Sequence, residues 1–455
     1  FLFYGLAYRA KRAYYKRWLT VNETGQSIME IIAIIAAAFF GFGYLLITLE
    51  QKFNTHKSAI ALTMGGILWL LAALHLRHDE HALDHALSHA GTEIFSIVAF
   101  LLAALALIEI LVHYRFFDLI RAKLISLKIS DKQQFLIVMG LTFSFSAILD
   151  NIAITIAMLQ IALRFFSGKN MIIAAAGIVI AANAGGAWSP VGDITTIMLW
   201  LAGKFTAIEI IQYAFLPSLA LAVVAGSLLY RKLTDDDFLK REKDDTLQPS
   251  RGEKLVIGMA LVSFGLPLIV SFIGLPPYMG LLLGLGLTWA MIELAKKRRG
   301  DNPTHMTANI EKLVQAVDIS SIKYIMGILL AVMALSTLGV LSWLSSVIVG
   351  QDPSTTHLIL VNMGLGFLSG IVDNASLVAI AMNTLPMDDP ELWALTAIAA
   401  GNGGSLIVIA SAAGIVAMGG FKKLTVTNYL RVATFPVFLG LLAAFGVWYL
   451  QYTLF

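Results

Sequence analysis

Long apolar runs dominate this 455-residue sequence and constrain its fold more than any other feature. A helix needs about 20 predominantly apolar residues to cross a bilayer, and a dozen runs of roughly that length or more follow one another. The chain is 58% hydrophobic with a mean hydropathy of +0.79, and only 13% of its residues are charged. A water-soluble protein carries roughly 25% charged residues, so the sequence predicts an all-α polytopic membrane protein. The runs lie at residues 30–48, 57–76, 93–113, 134–164, 171–201, 206–230, 254–273, 275–294, 320–347, 356–385, 391–418 and 425–450.

The chain has no cysteine, which excludes disulfides, thiolate metal sites, iron–sulfur clusters and a cysteine nucleophile. Its formal net charge is +3, and most of its 32 lysines and arginines lie in short segments between apolar runs. This distribution is typical of membrane topology, because basic loops stay in the cytoplasm, and it is no sign of nucleic-acid binding. We expect the cytoplasmic segments to be 114–133, 231–254, 295–323 and 419–424.

A motif recurs in the two halves of the chain. Residues 146–151 read Ser-Ala-Ile-Leu-Asp-Asn, and residues 369–374 read Ser-Gly-Ile-Val-Asp-Asn. A glycine-rich stretch that starts at Asn183 returns as Gly-Asn-Gly-Gly at 401–404. Two shared motifs at similar spacing indicate internal duplication. The predicted organisation is an N-terminal interfacial segment (1–29), a first repeat (30–230), a cytoplasmic linker (231–253) and a second repeat (254–455).

The fourth run of each half is too long for one crossing and too short for two. Residues 134–164 and 356–385 each span about 30 residues with Asp-Asn near the middle, so we expect re-entrant hairpins with Asp-Asn at their tips. About five crossings plus one hairpin in each half make an odd number, which turns the second half upside down. The predicted fold is thus two inverted-topology repeats, each with about five transmembrane helices, a re-entrant hairpin and a broken helix.

Ionisable residues inside the apolar runs are candidate site residues, because a charge at membrane depth costs on the order of 3 kcal/mol or more. Asp150 and Asp373 are such residues, each followed by an asparagine and preceded four positions earlier by a serine. A tip with carboxylate, amide, hydroxyl and backbone oxygens suits a hard cation such as Na+. Helix capping is the alternative interpretation, although a cap does not require a full charge at this depth. The candidate ligands at the tips are Ser146, Asp150, Asn151, Ser369, Asp373 and Asn374.

The fifth run of each half is interrupted by glycine. In the first half, Gly185, Gly186, Pro190 and Gly192 break the run just before Asp193. Broken backbone at this depth persists only where it is buried in protein or lines a cavity. The second half breaks similarly but has no acid, so the two half-sites differ in charge. Close helix packing through small residues is the alternative interpretation. The candidates in these breaks are Asn183, Asp193, Thr195, Thr196, Asn402 and Ser405.

No lysine or arginine lies near these tips in the sequence, which argues against an anionic substrate. A buried carboxylate without a basic partner favours a bound proton or a small cation over an uncompensated charge. Mutual exclusion of proton and cation at one site is the minimal mechanism of cation/proton exchange.

Five histidines precede the third run at spacings that predict one shared helical face, in a non-cytoplasmic connection. Such a face senses pH, binds a metal or is simply solvated. A membrane di-metal oxygenase would need further histidine clusters, whereas the remaining histidines are scattered. With Glu109, which lies nearer a helix end, the candidates for pH sensing are His75, His78, His81, His85 and His89.

The paired Ser-x-x-x-Asp-Asn motifs and Asn-x-Gly-Gly-x-x-Ser-Pro-x-Gly-Asp-x-Thr-Thr resemble NhaD-type sodium/proton antiporters of the ion transporter superfamily. The resemblance covers about residues 30–450. It implies exchange of Na+ or Li+ for H+ with Asp150, Asp193 and Asp373 at the Na+ site, no cofactor, and a homodimer in a bacterial inner membrane. Dicarboxylate relatives carry Ser-Asn-Thr at their hairpin tips, from which the aspartates here depart.

Two other functions stay open on the sequence. The first is a proton- or sodium-coupled carrier of an anion or metalloid, of the dicarboxylate, citrate or arsenite type, in the same superfamily. The second is a membrane oxidoreductase that uses the histidine cluster. Sodium-dependent proton movement separates the leading hypothesis from the first, and metal analysis of the purified protein tests the second.

Overall fold

The computed structural model describes residues 23–48, 56–77, 79–126, 129–234, 250–299, 319–350 and 353–454. Within these ranges the chain is helical and contains no strand, which confirms the all-α prediction. Among the described residues, seven helices are long and apolar enough to cross a membrane, or eight if one bent pair counts as a span. The chain is therefore a multi-pass membrane protein. Residues 1–22 of the N-terminal segment and 235–249 of the linker lie outside the described residues.

The helices of the first half follow its apolar runs. Two features differ from the sequence prediction: α3 begins at Glu80, well before its run, and α4 occupies part of a segment expected to be a loop. The helices are α1 (Glu23–Thr48), α2 (Lys57–His75), α3 (Glu80–His113), α4 (Phe116–Ser126), α5 (Asp131–Ser146), α6 (Asn151–Ala162), α7 (Gly168–Gly186), α8 (Ile194–Leu201) and α9 (Ala207–Tyr230).

The described residues of the second half form ten helices. Its first run is bent by 40° between α10 and α11, and α19 contains a π-helical turn at Leu430–Thr434. The helices are α10 (Arg251–Ser263), α11 (Leu266–Phe272), α12 (Pro277–Arg299), α13 (Ile319–Thr337), α14 (Val340–Ile348), α15 (Thr355–Leu368), α16 (Asn374–Thr384), α17 (Pro390–Gly403), α18 (Ala412–Gly420) and α19 (Val426–Leu454).

The fourth run of each half forms two short helices separated by a break that contains the aspartate. In the first half, α5 has 16 residues and α6 has 12. In the second half, α15 has 14 residues and α16 has 11. Each helix is shorter than the roughly 20 residues of a full crossing. The two short arms agree with the sequence, and their fold as re-entrant hairpins stays a prediction.

The first arm of each pair packs closely on the next helix of its own half. The Ser146 hydroxyl donates a hydrogen bond to the Ala182 carbonyl at 2.6 Å, and the Ser369 hydroxyl donates to the Ala400 carbonyl at the same distance. A methyl group at Gly185 would overlap the backbone carbonyl of Phe143. Glycine is therefore required there for α5 and α7 to approach each other.

Candidate cation-binding site

Four helices begin at breaks inside the apolar runs, and each begins with a side-chain cap. Asp150 Oδ2 accepts the backbone N–H of Ile152 at 3.0 Å, and Asp193 Oδ1 accepts that of Thr195 at 3.0 Å. In the second half, Asp373 caps α16 and Ser411 caps α18. Helix capping, the alternative interpretation to ion binding at the Asp-Asn tips, therefore does occur. Because a helix N-terminus carries partial positive charge, it also stabilises the ionised carboxylates there.

The two Asp-Asn tips line one cavity of about 140 Å³. Asp150 and Asn151 come from the first half of the chain, and Asp373 and Asn374 come from the second. Two further ionisable residues, Glu109 of α3 and Lys57 of α2, also line the space. Asp150, Asp373 and Glu109 are all half-buried. Carboxyl and amide oxygens, the ligand types that hard cations prefer, therefore line one space, although no three acidic or histidine side chains of the described residues form a group that could hold a metal ion.

Asp193 lies beside this cavity in a fully buried cluster of polar side chains. The amide nitrogen of Asn151 donates to Asp193 Oδ2 at 2.8 Å, so one residue belongs to both the cavity and the cluster. Asn183 donates to the hydroxyl of Ser405 at 2.9 Å and to that of Ser411 at 3.0 Å. These bonds connect α7 of the first half to the break between α17 and α18 of the second.

The remaining sequence-predicted ligands have other surroundings. Ser146 and Ser369 donate to backbone carbonyls of neighbouring helices and do not line the cavity. Thr196 donates to the Asp193 carbonyl at 2.9 Å, which closes the first turn of α8. Thr195 is buried next to Asp193. Asn402 is fully buried, and neither polar atom of its amide has a hydrogen-bond partner among the described residues.

The histidines are not arranged as predicted. His75 ends α2, whereas His81, His85 and His89 follow one another on the exposed first turns of α3. One helical face for all five is therefore wrong, because the chain leaves the helix after His75. His78 lies outside the described residues. The described part of the chain contains no group of three or more His, Asp or Glu side chains able to hold a metal. A pH-sensing role for the exposed histidines stays a prediction.

Two tyrosines that the sequence reasoning missed surround Asp373. Tyr324 of α13 donates to Asp373 Oδ2 at 3.2 Å and lies 3.0 Å from the hydroxyl of Ser376. The hydroxyl of Tyr44 on α1 accepts the backbone N–H of Asp373 at 2.9 Å. Tyrosine within an apolar run reads as core or interface, since its ring is mostly apolar, so no sequence signal marked these residues.

Lys57 corrects the expectation that no basic residue lies near the tips. It is the first residue of α2 and lines the same cavity as Asp150 and Asp373. In the sequence it is the first residue of the apolar run at 57–76 and reads as a charge at the end of a span. The packing of α2 against α13 brings it to the cavity, and only tertiary structure reveals that placement.

A second cavity, of about 950 Å³, lies between α5, α9 and the α10–α11 pair. Its lining is predominantly apolar and includes Phe143, Trp188 and Phe215, with no acidic or basic side chain among the described residues around it. A cation would lose its hydration there without gaining charged ligands. The smaller cavity is therefore the candidate cation site.

Comparison with known proteins identifies the family of the chain. Residues 27–401 match the family model CitMHS, described as citrate transporter. Sodium/proton antiporter 1 of Arabidopsis thaliana is 33% identical over 445 residues, which cover 95% of this chain and 73% of the relative. Sodium/proton antiporter 2 of the same plant is 34% identical over 425 residues, covering 90% of this chain and 97% of the relative. The Na(+)/H(+) antiporter NhaD of Alkalimonas amylolytica is 27% identical over 448 residues, or 92% and 90% of the two chains. The chain therefore belongs to the CitMHS transporter family and is homologous to sodium/proton antiporters of the NhaD type, as its motifs predicted.

Proposed function

We propose that this protein exchanges Na+ or Li+ for H+ across a membrane. The observation that carries the proposal is the meeting of Asp150 and Asp373, from opposite halves of the chain, on one small cavity. The relatives that match over nearly the whole chain are named sodium/proton antiporters, which supports the same function.

Electrostatics explains why such a cavity would exchange the two ions. Two nearby carboxylates in a poorly hydrated space repel each other, so at least one is stabilised by binding a proton or a cation. Na+ stabilises the ionised form and releases the proton. A proton arriving from the other side neutralises the carboxylate and releases Na+. The partial positive charge at the starts of α6 and α16 keeps the ionised form accessible, because it lowers the cost of the charge.

We assign the buried cluster around Asp193 to the same site. Asn151 connects it to the cavity, because its amide donates to Asp193 and its side chain lines the cavity beside Asp150 and Asp373. A cation at the tips would therefore change the electrostatic environment of Asp193. We propose that further hydroxyl and amide oxygens for this site come from Thr195, Thr196, Asn183, Asn402 and Ser405.

A carrier of citrate or a similar anion is the second candidate, because the matching family model is described as citrate transporter. The cavity argues against it in two ways. Its volume of about 140 Å³ is below the roughly 300–1,000 Å³ of small-molecule pockets. Its lining also has three acidic side chains and, among the described residues, one basic side chain, so a tricarboxylate would be repelled.

We further propose that the two halves are inverted repeats and that the protein forms a homodimer in a bacterial inner membrane. Equivalent serine-to-carbonyl bonds in both halves support the duplication. Relatives from bacteria and from a plant are similar to this chain in sequence. The bacterial inner membrane is therefore proposed from the motif resemblance alone.

Transport in everted vesicles tests the function. Vesicles that contain the protein are acidified by respiration, and NaCl, LiCl, KCl or sodium-free citrate is then added. We expect alkalinisation of the lumen with Na+ or Li+ and no response to citrate. A response to citrate without any response to Na+ or Li+ would assign the protein to the second candidate. Vesicles without the protein provide the background.

A further inference from the structure

Lys57 occupies a position that the proposed exchange does not yet explain. Among the described residues that line the small cavity, it is the one basic residue, beside Asp150, Asp373 and Glu109. Its ammonium nitrogen lies 4.7 Å from the ring centroid of Tyr324. The hydroxyl of that tyrosine donates to Asp373. A cationic side chain, an aromatic ring and a site carboxylate therefore follow one another in contact.

The position of Lys57 is set by close packing between α2 and α13. A methyl group at Gly327 would lie 2.5 Å from the carbonyl carbon of Ala61, so the two helices cross with almost no side chain between them. One residue after Lys57, the Ser58 hydroxyl donates to the Ser320 carbonyl of α13 at 2.8 Å. The start of α2 is thus held next to the start of α13, where Ser320 lies four residues before Tyr324.

We propose that Lys57 is the resident counter-cation of the site, and that its charge keeps Na+ affinity low enough for Na+ to be released in each cycle. Without a positive charge beside them, the two tip carboxylates of Asp150 and Asp373 would bind Na+ too tightly for rapid turnover, since transport requires departure as well as binding. A fixed ammonium among them reduces the attraction. In a partly dehydrated cavity, one unit charge at several ångströms changes binding by roughly three- to thirtyfold.

This inference rests on the proposed exchange of Na+ for H+. A purely structural role is the competing explanation, in which the stem of Lys57 packs on Tyr324 and its charge only completes a cation–π contact. The two explanations differ in sign. Loss of a structural contact weakens folding and leaves Na+ binding unchanged or weaker, whereas loss of a counter-cation makes Na+ binding tighter.

Charge variants of Lys57 test the proposal. Lys57→Gln and Lys57→Met remove the charge, and Met also keeps an apolar stem. Lys57→Arg keeps both the charge and the ability to contact the ring. Lys169→Gln is the matched control, because Lys169 is exposed at the start of α7. The measurements are the half-saturating Na+ concentration and maximal rate in vesicles, and the Na+-induced shift in the thermal unfolding midpoint of the purified protein.

We expect Lys57→Gln and Lys57→Met to lower the half-saturating Na+ concentration by roughly three- to thirtyfold and to lower the maximal rate, because a more tightly bound ion leaves more slowly. The Na+-induced shift of the midpoint should occur at correspondingly lower concentrations. Lys57→Arg and Lys169→Gln should resemble the wild type.

Two results would overturn the proposal. The first is an unchanged or raised half-saturating Na+ concentration in folded Lys57→Gln and Lys57→Met. The second is failure of both variants to fold while Lys57→Arg folds, which would assign Lys57 a structural role. If the wild type itself showed no Na+-dependent proton movement, the proposed function would fail instead, and that control is read first.

Discussion

Asp150, Asp193 and Asp373 each cap a helix that begins at a break in an apolar run, and we propose that each supplies a carboxylate to the cation site. Capping uses Oδ2 of Asp150, Oδ1 of Asp193 and Oδ2 of Asp373. A cap contributes about 1 kcal/mol, and serine or asparagine provides it without a full charge. Ser411 shows this, since it caps α18 where its counterpart α8 begins with Asp193. We therefore attribute the negative charges to the proposed ion binding rather than to capping alone.

Asn183 is the residue whose loss should most directly loosen the contact between the halves. Its amide donates to Ser405 and Ser411 and accepts from Asn151 at 3.4 Å. Hydrogen bonds between transmembrane helices contribute about 0.6 kcal/mol each, so Asn183→Ala should destabilise the protein by about 1–2 kcal/mol. Thermal unfolding in detergent measures this. Thr453→Ala, on the exposed end of α19, should leave the midpoint unchanged. Equal midpoints for both variants would contradict the bridging role.

At the level of elements, the apolar runs predicted the helices well, and the breaks were predicted by the residues that cause them. Gly185, Gly186, Pro190 and Gly192 end α7 and precede α8, as the broken-helix prediction required. α4 was missed because its charged residues made it read as a loop. Lys57, Tyr44 and Tyr324 were missed because their roles depend on which helices pack together, and a single sequence does not report that.

Glycine contacts in the two halves provide a test of equivalent packing. A methyl group at Gly185 would overlap the carbonyl of Phe143, and one at Gly403 would overlap the carbonyl of Gly366. Both contacts are with backbone, which relaxes little. Gly185→Ala and Gly403→Ala should therefore each lower the free energy of unfolding by about 1–3 kcal/mol.

The controls for these variants are glycines on α5 and α15, the helices that pack against α7 and α17. Gly140 of α5 and Gly364 of α15 have open space where a methyl group would be added. Alanine there should be neutral or stabilise the helix by up to about 1 kcal/mol. Reversible unfolding in mixed micelles measures all four variants. Destabilisation by Gly185→Ala alone, with a neutral Gly403→Ala, would show that the halves are packed differently.

At the scale of the whole molecule, the proposed exchange needs the two halves to present their tips to one cavity while facing opposite sides of the membrane. The first requirement is met by the placement of Asp150 and Asp373. The second remains a prediction from the sequence, based on the odd number of crossings expected in each half and on the positions of the basic loops. If the halves are inverted, one hairpin enters the membrane from each side, so the shared cavity can open to either side alternately.

Cysteine labelling tests the inversion, because the natural chain has no cysteine. Ser167 follows the first pair of short helices and Asp388 follows the second, and both side chains are exposed. Ser167→Cys should react with a membrane-impermeant maleimide in inside-out vesicles, and Asp388→Cys should react in intact cells. Labelling of both variants from the same side would rule out the inverted arrangement.

We propose that the carboxylates of Asp150 and Asp373 exchange Na+ for H+. Replacing each aspartate by asparagine, which removes the charge but keeps the side-chain shape, tests this most directly. Asp150→Asn and Asp373→Asn keep a good N-cap for α6 and α16, so both variants should fold. Asp388→Asn removes an exposed aspartate away from the cavity and serves as the control. Sodium-dependent proton movement in everted vesicles should fall at least roughly tenfold in each of the first two variants and persist in the control. Wild-type rates and half-saturating Na+ concentrations in both Asp150→Asn and Asp373→Asn would contradict the account.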